Sequence, residues 1–448
     1  MWQHTDATHD YRTDLAVKDL VRRDAACLWH PFTQAATAWP PLPVMSAQGS
    51  YLHLRNGEKL LDAISSWWTN LHGHGHPVIA AAVAQQVMTL DHVLFAGCTH
   101  PPAVLCAESL LSAAPKNLKR VFFSDDGSTA VEVALKMAFQ FHAQRGQAQR
   151  TQFVALTHGY HGDTVGAMAL GDPNDFANPF GPLLFPVARV PAAVASGDAL
   201  RCDISVQPQL DALHFALDQR SNRVAAVILE PMVQAAGGMI LHPPAYLRGV
   251  AQLCRAYGVL LIADEVMTGF GRTGKMFACE HADLAPDLLC VAKGLTGGVM
   301  PLAATLASDE IYRAFLSDDA SKAFLHGHSF TANPIACAAA IASFEIWRQG
   351  GIFEKISALT QVYADILPRL AELPVVKDVR WIGSLGVVEL HDGEGYFSTT
   401  RSKEVAYQMR KRGYLLRPLG PVLYTLPPYC TTGEELTELY KNMGELLA

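Results

Sequence analysis

At 448 residues the chain is long enough for two or three domains of ~100–200 residues each, or for one large domain with a smaller companion. Half of it is hydrophobic and only 17% is charged, which argues against a disordered polypeptide. The 35 basic and 42 acidic side chains leave a net charge of −7 with no polybasic run, unlike the footprint of a nucleic-acid binder. Its nine cysteines are odd in number, scattered and without a CxxC pair, a pattern of free thiols in a reducing compartment. No apolar stretch reaches the ~20 residues that span a bilayer. The polar start, Met1-Trp2-Gln3-His4, lacks the order of a signal peptide. The expectation is a cytoplasmic protein with neither a membrane nor a nucleic-acid partner.

Residues 1–26 are polar and read as partly loose. Alternating stretches over 44–61, broken by Gly49 and Asn56-Gly57, predict a small β-hairpin unit. From about 75, short apolar runs alternate with longer helical patterns. The runs are 120–124, 152–156, 224–229, 258–263, 288–292 and 302–306. Continuous apolar strands separated by helices imply a mainly parallel sheet covered on both faces. Residues 191–197 read as a loop. A helix at 341–349 leads into a mixed segment with strands at 386–390 and 422–426. The fold class is therefore α/β, with a large domain over 75–340 and a smaller α+β domain assembled from 1–74 and 341–448.

In open α/β sheets, ligands sit beyond the carboxyl ends of the strands, and four such ends carry unusual residues. In Ser124-Asp-Asp-Gly127-Ser128, a strand gives way to a helix start whose free N–H groups suit an anion, although an ordinary serine cap is equally compatible. Asp264 and Glu265 end an apolar strand, where a carboxylate needs a partner such as a cationic ring nitrogen, a metal or an ion pair. Lys293 also ends an apolar strand; a desolvated amine is a nucleophile toward carbonyls, and a snorkelling structural lysine is the alternative. Tyr160, in His158-Gly-Tyr-His-Gly-Asp163, offers an aromatic face for a planar ligand or is one more half-buried ring. An anion cradle, an acid, an amine and an aromatic face around one sheet edge are what pyridoxal 5′-phosphate requires.

Gly269-Phe-Gly-Arg-Thr-Gly-Lys275 imitates a phosphate-binding loop, and the strand before it imitates a Mg²⁺-binding strand. Met276 stands where such a loop needs Ser or Thr, and one strand cannot supply both motifs, so an NTPase is rejected. His72, His74 and His76 alternate with glycine, but no carboxylate or cysteine lies at ligand spacing; a turn is the simpler reading, and no metal is expected. Trp67-Trp68 reads as core or pocket wall. Arg417 follows a short apolar strand, where it would clamp a substrate carboxylate or form a structural ion pair.

The combination of Ile262-Ala-Asp264-Glu265, Gly269-Phe-Gly-Arg-Thr-Gly274 and Ala292-Lys293-Gly294 resembles the class III pyridoxal-phosphate-dependent aminotransferases of fold type I, over about residues 45–430. Ser65-Ser-Trp67-Trp68, Glu230-Pro231, His326-Gly, Asn333-Pro334 and Arg417-Pro418 are similar to one branch of that family. This branch transfers an amino group from S-adenosyl-L-methionine to 8-amino-7-oxononanoate, giving 7,8-diaminononanoate in biotin biosynthesis.

The resemblance implies a role for each matching residue. Lys293 would carry the coenzyme and Asp264 would hold its ring nitrogen. Gly127 and Ser128 would cradle its phosphate, Tyr160 would stack on the ring, and Glu230 would support its polar edge. Ser329 would reach the phosphate of a neighbouring subunit, which implies a homodimer with shared active sites. Trp67, with Tyr160 and Lys293, would line the substrate pocket, and Arg417 would bind the distal carboxylate of the keto acid. Two residues depart from the pattern, Phe32 in place of Tyr and His328 in place of Pro. Both leave the donor open between S-adenosyl-L-methionine and lysine. The rival readings are another class III ω-aminotransferase and a coenzyme-binding protein without catalysis.

Overall fold

The computed structural model describes residues 17–173, 177–220, 222–393 and 400–448. The loose segment expected at 1–26 therefore falls mostly outside the described residues, and its end belongs to helix Val17–Cys27.

The central sheet has seven strands: β1 (Leu118–Ser124), β2 (Gln152–Leu156), β3 (Ala188–Val190), β4 (Val224–Leu229), β5 (Leu260–Asp264), β6 (Leu288–Val291) and β7 (Ala303–Ser308). Their spatial order is β1-β7-β6-β5-β4-β2-β3. Pairing is parallel from β3 through β6, while β7 runs antiparallel to both β6 and β1. Every residue of β4 through β7 is buried, as expected of strands covered by helices on both faces.

β5 begins two residues later than its apolar run suggested. Gly258, at φ 59°, closes helix Pro244–Tyr257 in the left-handed conformation and so cannot start the strand. β3 was not anticipated: three residues at the sheet edge carry too little pattern to read. Helix Pro334–Arg348 starts seven residues before the expected 341, because Asn333 caps the amides of Ile335 and Ala336 and Pro334 opens the first turn.

Segments from the two ends of the chain meet. Strand Lys59–Asp62 of the N-terminal antiparallel sheet pairs in parallel with Tyr414–Leu415. A further sheet joins Val422–Thr425, Leu385–Leu390 and Val376–Ile382 to Gly197–Asp198, a short strand from the middle of the chain.

The motif that imitates a phosphate loop is a packing node. Gly271 lies at φ 92°, where a Cβ would come within 2.6 Å of the Trp347 ring. The buried Arg272 guanidinium donates to Asn70 O and Pro427 O, each at 3.1 Å, and stands 5.3 Å from the centre of the Tyr429 ring. The Arg272 carbonyl accepts from Ser384 N at 2.9 Å. One short segment thus ties the large sheet to both terminal regions. No helix among the described residues is long and apolar enough to cross a membrane.

Candidate active site

A cavity of about 440 Å³ opens at the carboxyl ends of the parallel strands. Its wall includes Gly127 and Ser128 after β1, Tyr160 after β2, Glu230 after β4, Asp264 at the end of β5 and Lys293 after β6. The chain order of the strands scatters these residues over 167 positions, and the parallel pairing gathers them.

β1 passes through Asp125 and Asp126 into helix Gly127–Gln144. Asp126 caps this helix by accepting from Thr129 N at 2.9 Å, and Thr129 returns a bond to the Asp126 N–H. The first-turn amides of Gly127 and Ser128 have no acceptor within the helix and suit an anion. A Cβ at Gly127 would sit 2.6 Å from Val266 Cγ1, so glycine lets the β5 loop close against the helix start.

The loop after β2 is fixed from two sides. Asp163 N donates to Ser128 Oγ at 3.1 Å, and Tyr160 N donates to Glu230 Oε1 at 3.0 Å. Gly162 lies at φ 131°, where a Cβ would approach Ser128 Oγ to 2.1 Å; only glycine fits. Burial, followed by the nearby Asp163 carboxylate, pushes the Tyr160 phenol well above its ordinary pKa, so it stays protonated at neutral pH.

Three ionisable groups, His161, Glu230 and Asp264, cluster in the cavity wall. Asp264 accepts from His161 Nδ1 at 2.7 Å and from Val266 N at 3.1 Å. Glu230 accepts from Tyr160 N and Ala235 N, both at 3.0 Å. Burial raises Glu230 to about 7, with His161 pulling the other way and Asp264 adding to the rise.

Lys293 lies at φ 38°, in the left-handed region that β-carbon-bearing residues rarely occupy. Burial lowers the pKa of its amine, against the opposing pull of Asp264, Glu230, Asp126 and Asp163. A lowered pKa raises the fraction of neutral, nucleophilic amine.

The paired tryptophans take different paths. Ser65, Ser66 and Trp68 all have positive φ, so the backbone kinks between the two rings. Trp68 turns inward: it lines the cavity, its Nε1 donates to Tyr424 Oη at 2.8 Å, and Lys293 Nζ stands 5.4 Å from its ring centre. Trp67 is not among the cavity-lining residues. It stacks instead under Arg417, whose guanidinium carbon lies 4.3 Å from the ring centre, and beside Phe32 at 5.5 Å. Ser329 is exposed in a turn and lies outside this cavity wall.

Six of the nine residues singled out from sequence, Gly127, Ser128, Tyr160, Glu230, Asp264 and Lys293, thus share one cavity, while Trp67, Arg417 and Ser329 stand apart from it. Sequence reasoning assigned nothing to His161, and it read Trp68 only jointly with Trp67 as core or pocket wall; Trp68 is the ring that lines the cavity. His161 was visible inside the His158–Asp163 motif, and Trp68 as the second half of its pair. His72 and His74 do not converge: His72 bonds Ser343 Oγ at 2.9 Å and His74 bonds Asp62 Oδ2 at 2.8 Å.

The aminotransferase class-III family matches residues 33–447. An adenosylmethionine-8-amino-7-oxononanoate aminotransferase of Synechococcus elongatus is 46% identical, over 94% of this chain and 98% of that protein. The protein of the same name from Geobacter sulfurreducens is 39% identical over 97% of each. The crystal structure of a Methanocaldococcus jannaschii enzyme of that name superposes with a TM-score of 0.89 at 38% identity, covering 96% of this chain and 98% of that one. A PLP-bound amine transaminase from an uncultivated Pseudomonas species gives a TM-score of 0.85 at 30% identity, covering 94% and 98%. With its α/β architecture of fold type I, the chain belongs to the class III aminotransferase family.

Proposed function

We propose that the protein is a pyridoxal 5′-phosphate-dependent aminotransferase that moves an amino group from S-adenosyl-L-methionine to 8-amino-7-oxononanoate, giving 7,8-diaminononanoate. The observation that carries the reading is one cavity lined by an amine (Lys293), a buried carboxylate (Asp264), a helix start (Gly127 and Ser128) and an aromatic ring (Tyr160). That donor set fits the coenzyme's aldehyde, ring nitrogen, phosphate and ring face. The names of relatives at 39–46% identity support the choice of substrates.

When bound, pyridoxal phosphate supplies an electron sink that stabilises negative charge at the substrate carbon bearing the amine. The chain's own residues do the rest. Lys293 would hold the coenzyme, and its amine would take up the proton from the donor's α-carbon. Asp264 keeps a proton at the ring nitrogen. The Gly127 and Ser128 amides bind the phosphate, Tyr160 covers the ring, and Glu230 fixes the Tyr160 loop. Arg417 binds the distal carboxylate of the keto acid, with Trp67 as the platform under its guanidinium. Ser329, exposed and away from its own cavity, serves the phosphate site of a second copy, so the working form is a homodimer in the cytoplasm. The large unit is 75–340, and 1–74 with 341–448 form the smaller one.

The test adds candidate amines singly to coenzyme-loaded protein, without acceptor, and follows the coenzyme's absorbance. Conversion to the pyridoxamine form by S-adenosyl-L-methionine and not by lysine is expected. Lysine alone converting it would reassign the donor, and no conversion by any amine would overturn the aminotransferase reading.

A further inference from the structure

The hairpin that follows β4 needs support from outside itself. Strand Val233–Gln234 pairs antiparallel with Ile240–Leu241. The turn between them puts Gly238 at φ 109° and the buried Met239 at φ 53°, a left-handed value that is costly for a residue with a β-carbon. Such a conformation persists only where the surrounding groups over-determine it. Within the turn, Gly238 N and Met239 N both donate to Ala235 O, at 3.2 and 2.9 Å. Gly237 lies directly against the Tyr160 loop, since a Cβ there would come within 2.1 Å of His158 O. A second cavity, of about 690 Å³, also borders Gly237 and Gly238, so part of the turn lacks packed neighbours.

The support comes from Arg380, which lies on strand Val376–Ile382 and is 3% exposed. Its Nε donates to Met239 O and its Nη2 to Gly238 O, each at 2.8 Å. Its Nη1 donates to Asp378 Oδ2 at 2.7 Å and to Glu389 Oε2 at 2.8 Å. Asp378 and Glu389 stand opposite one another in the register of two antiparallel strands, where like charges repel. The guanidinium bridges the two acids, and this fixes the plane of the fork that faces the turn.

The turn leads on to the active-site cavity. Ala235, whose carbonyl closes the turn, donates its N–H to Glu230 Oε2 at 3.0 Å, and Glu230 Oε1 accepts from Tyr160 N at 3.0 Å. A continuous set of bonds therefore runs from the sheet near the C-terminus to the ring that faces the cavity.

We infer that Arg380 is a positioning residue for the aminotransferase reaction: its guanidinium pins the 235–239 turn, so that Ala235 and Glu230 hold the Tyr160 loop at the cavity. The use of Tyr160 rests on the coenzyme reading given above, whereas the clamp itself does not.

The test compares Arg380→Lys with Lys377→Met. A lysine keeps the charge between the acids but lacks the fork that reaches both carbonyls. Lys377 meets Glu389 at 2.7 Å on the outer side of the same cluster and serves as the control. Amide hydrogen exchange is followed by mass spectrometry, together with the visible circular dichroism of added pyridoxal 5′-phosphate. Arg380→Lys should speed exchange roughly tenfold over both 233–241 and 156–164, and should weaken the dichroic signal. Lys377→Met should match wild type in both. Faster exchange confined to 376–390, a wild-type dichroic signal in Arg380→Lys, or equal loosening of 156–164 by Lys377→Met would overturn the inference. Should Arg380→Lys fail to fold, the wild type decides. In urea below its unfolding transition, 156–164 and 233–241 should lose protection together with 376–390. Opening of 376–390 alone would overturn the inference. Failure of the wild-type protein to bind the coenzyme, with exchange as expected, would instead strike the functional reading and leave the clamp standing.

Discussion

Asp264 and Glu265 are consecutive residues, yet they belong to two regions that use buried charge differently. Glu265 faces the packing node. Its oxygens accept from Ala278 N and Cys279 N, each at 2.7 Å, and from Thr268 Oγ1 at 3.1 Å. Nearby, the Arg272 guanidinium is taken up by two carbonyls from opposite ends of the chain. Asp264 faces the cavity, where His161 and Val266 hold one side and the other is left to a ligand. A buried charge whose partners are all the protein's own packed groups is structural, whereas one held in place but left with a face toward a cavity is available for chemistry.

The sharpest way to break this comparison is to neutralise each side in turn. Asp264→Asn should lower the amine half-reaction at least ~100-fold while leaving unfolding free energy within about 1 kcal/mol of wild type. An Asp264→Asn protein that unfolds readily but reacts normally would reverse the assignment. Arg272→Met should do the opposite to stability: it leaves Asn70 O and Pro427 O without their donors and should cost about 3 kcal/mol in denaturant unfolding. A loss below roughly 0.5 kcal/mol, the scale of an ordinary surface change, would remove the node from the account.

A gentler test uses pH. Burial raises Glu265 from its ordinary 4.5 to about 7, against the pull of its hydrogen bonds. The folded protein therefore holds this proton more tightly than the unfolded chain does. Its contribution to stability is fullest below pH 4.5, declines as pH rises, and levels off as a constant penalty above about 7, over a range of up to roughly 3 kcal/mol. Glu230 titrates through the same window for the same reason. In Glu265→Gln, urea midpoints across this window should show a flatter decline, with the share of Glu230 remaining. An unchanged slope would show that Glu265 is ionised throughout.

Much of this division was legible in the sequence, for a physical reason. Strands buried on both faces must be continuous apolar runs, so polar residues at their ends stand out, and Asp264 and Lys293 could be picked from pattern alone, whereas Glu230 entered only through the family resemblance. The Gly269–Gly274 motif could be rejected as a phosphate loop because Met276 lacks a hydroxyl, yet its packing role could not be read. That role depends on Trp347 and on Asn70 and Pro427, far off in sequence. The same limit explains the tryptophan pair. Which ring enters the cavity is decided by the positive φ angles of Ser65, Ser66 and Trp68, held by bonds to Leu426 and Tyr424, and no local pattern encodes that choice. His161 had no legible role for a similar reason, since its partner lies 103 residues away.

The most direct measurement soaks purified protein with pyridoxal 5′-phosphate, reduces it with borohydride and maps the labelled peptide by mass spectrometry. The account predicts a coenzyme adduct on Lys293 and none in a folded Lys293→Ala variant. A protein that stays unlabelled, or that carries its label on another lysine, would contradict it.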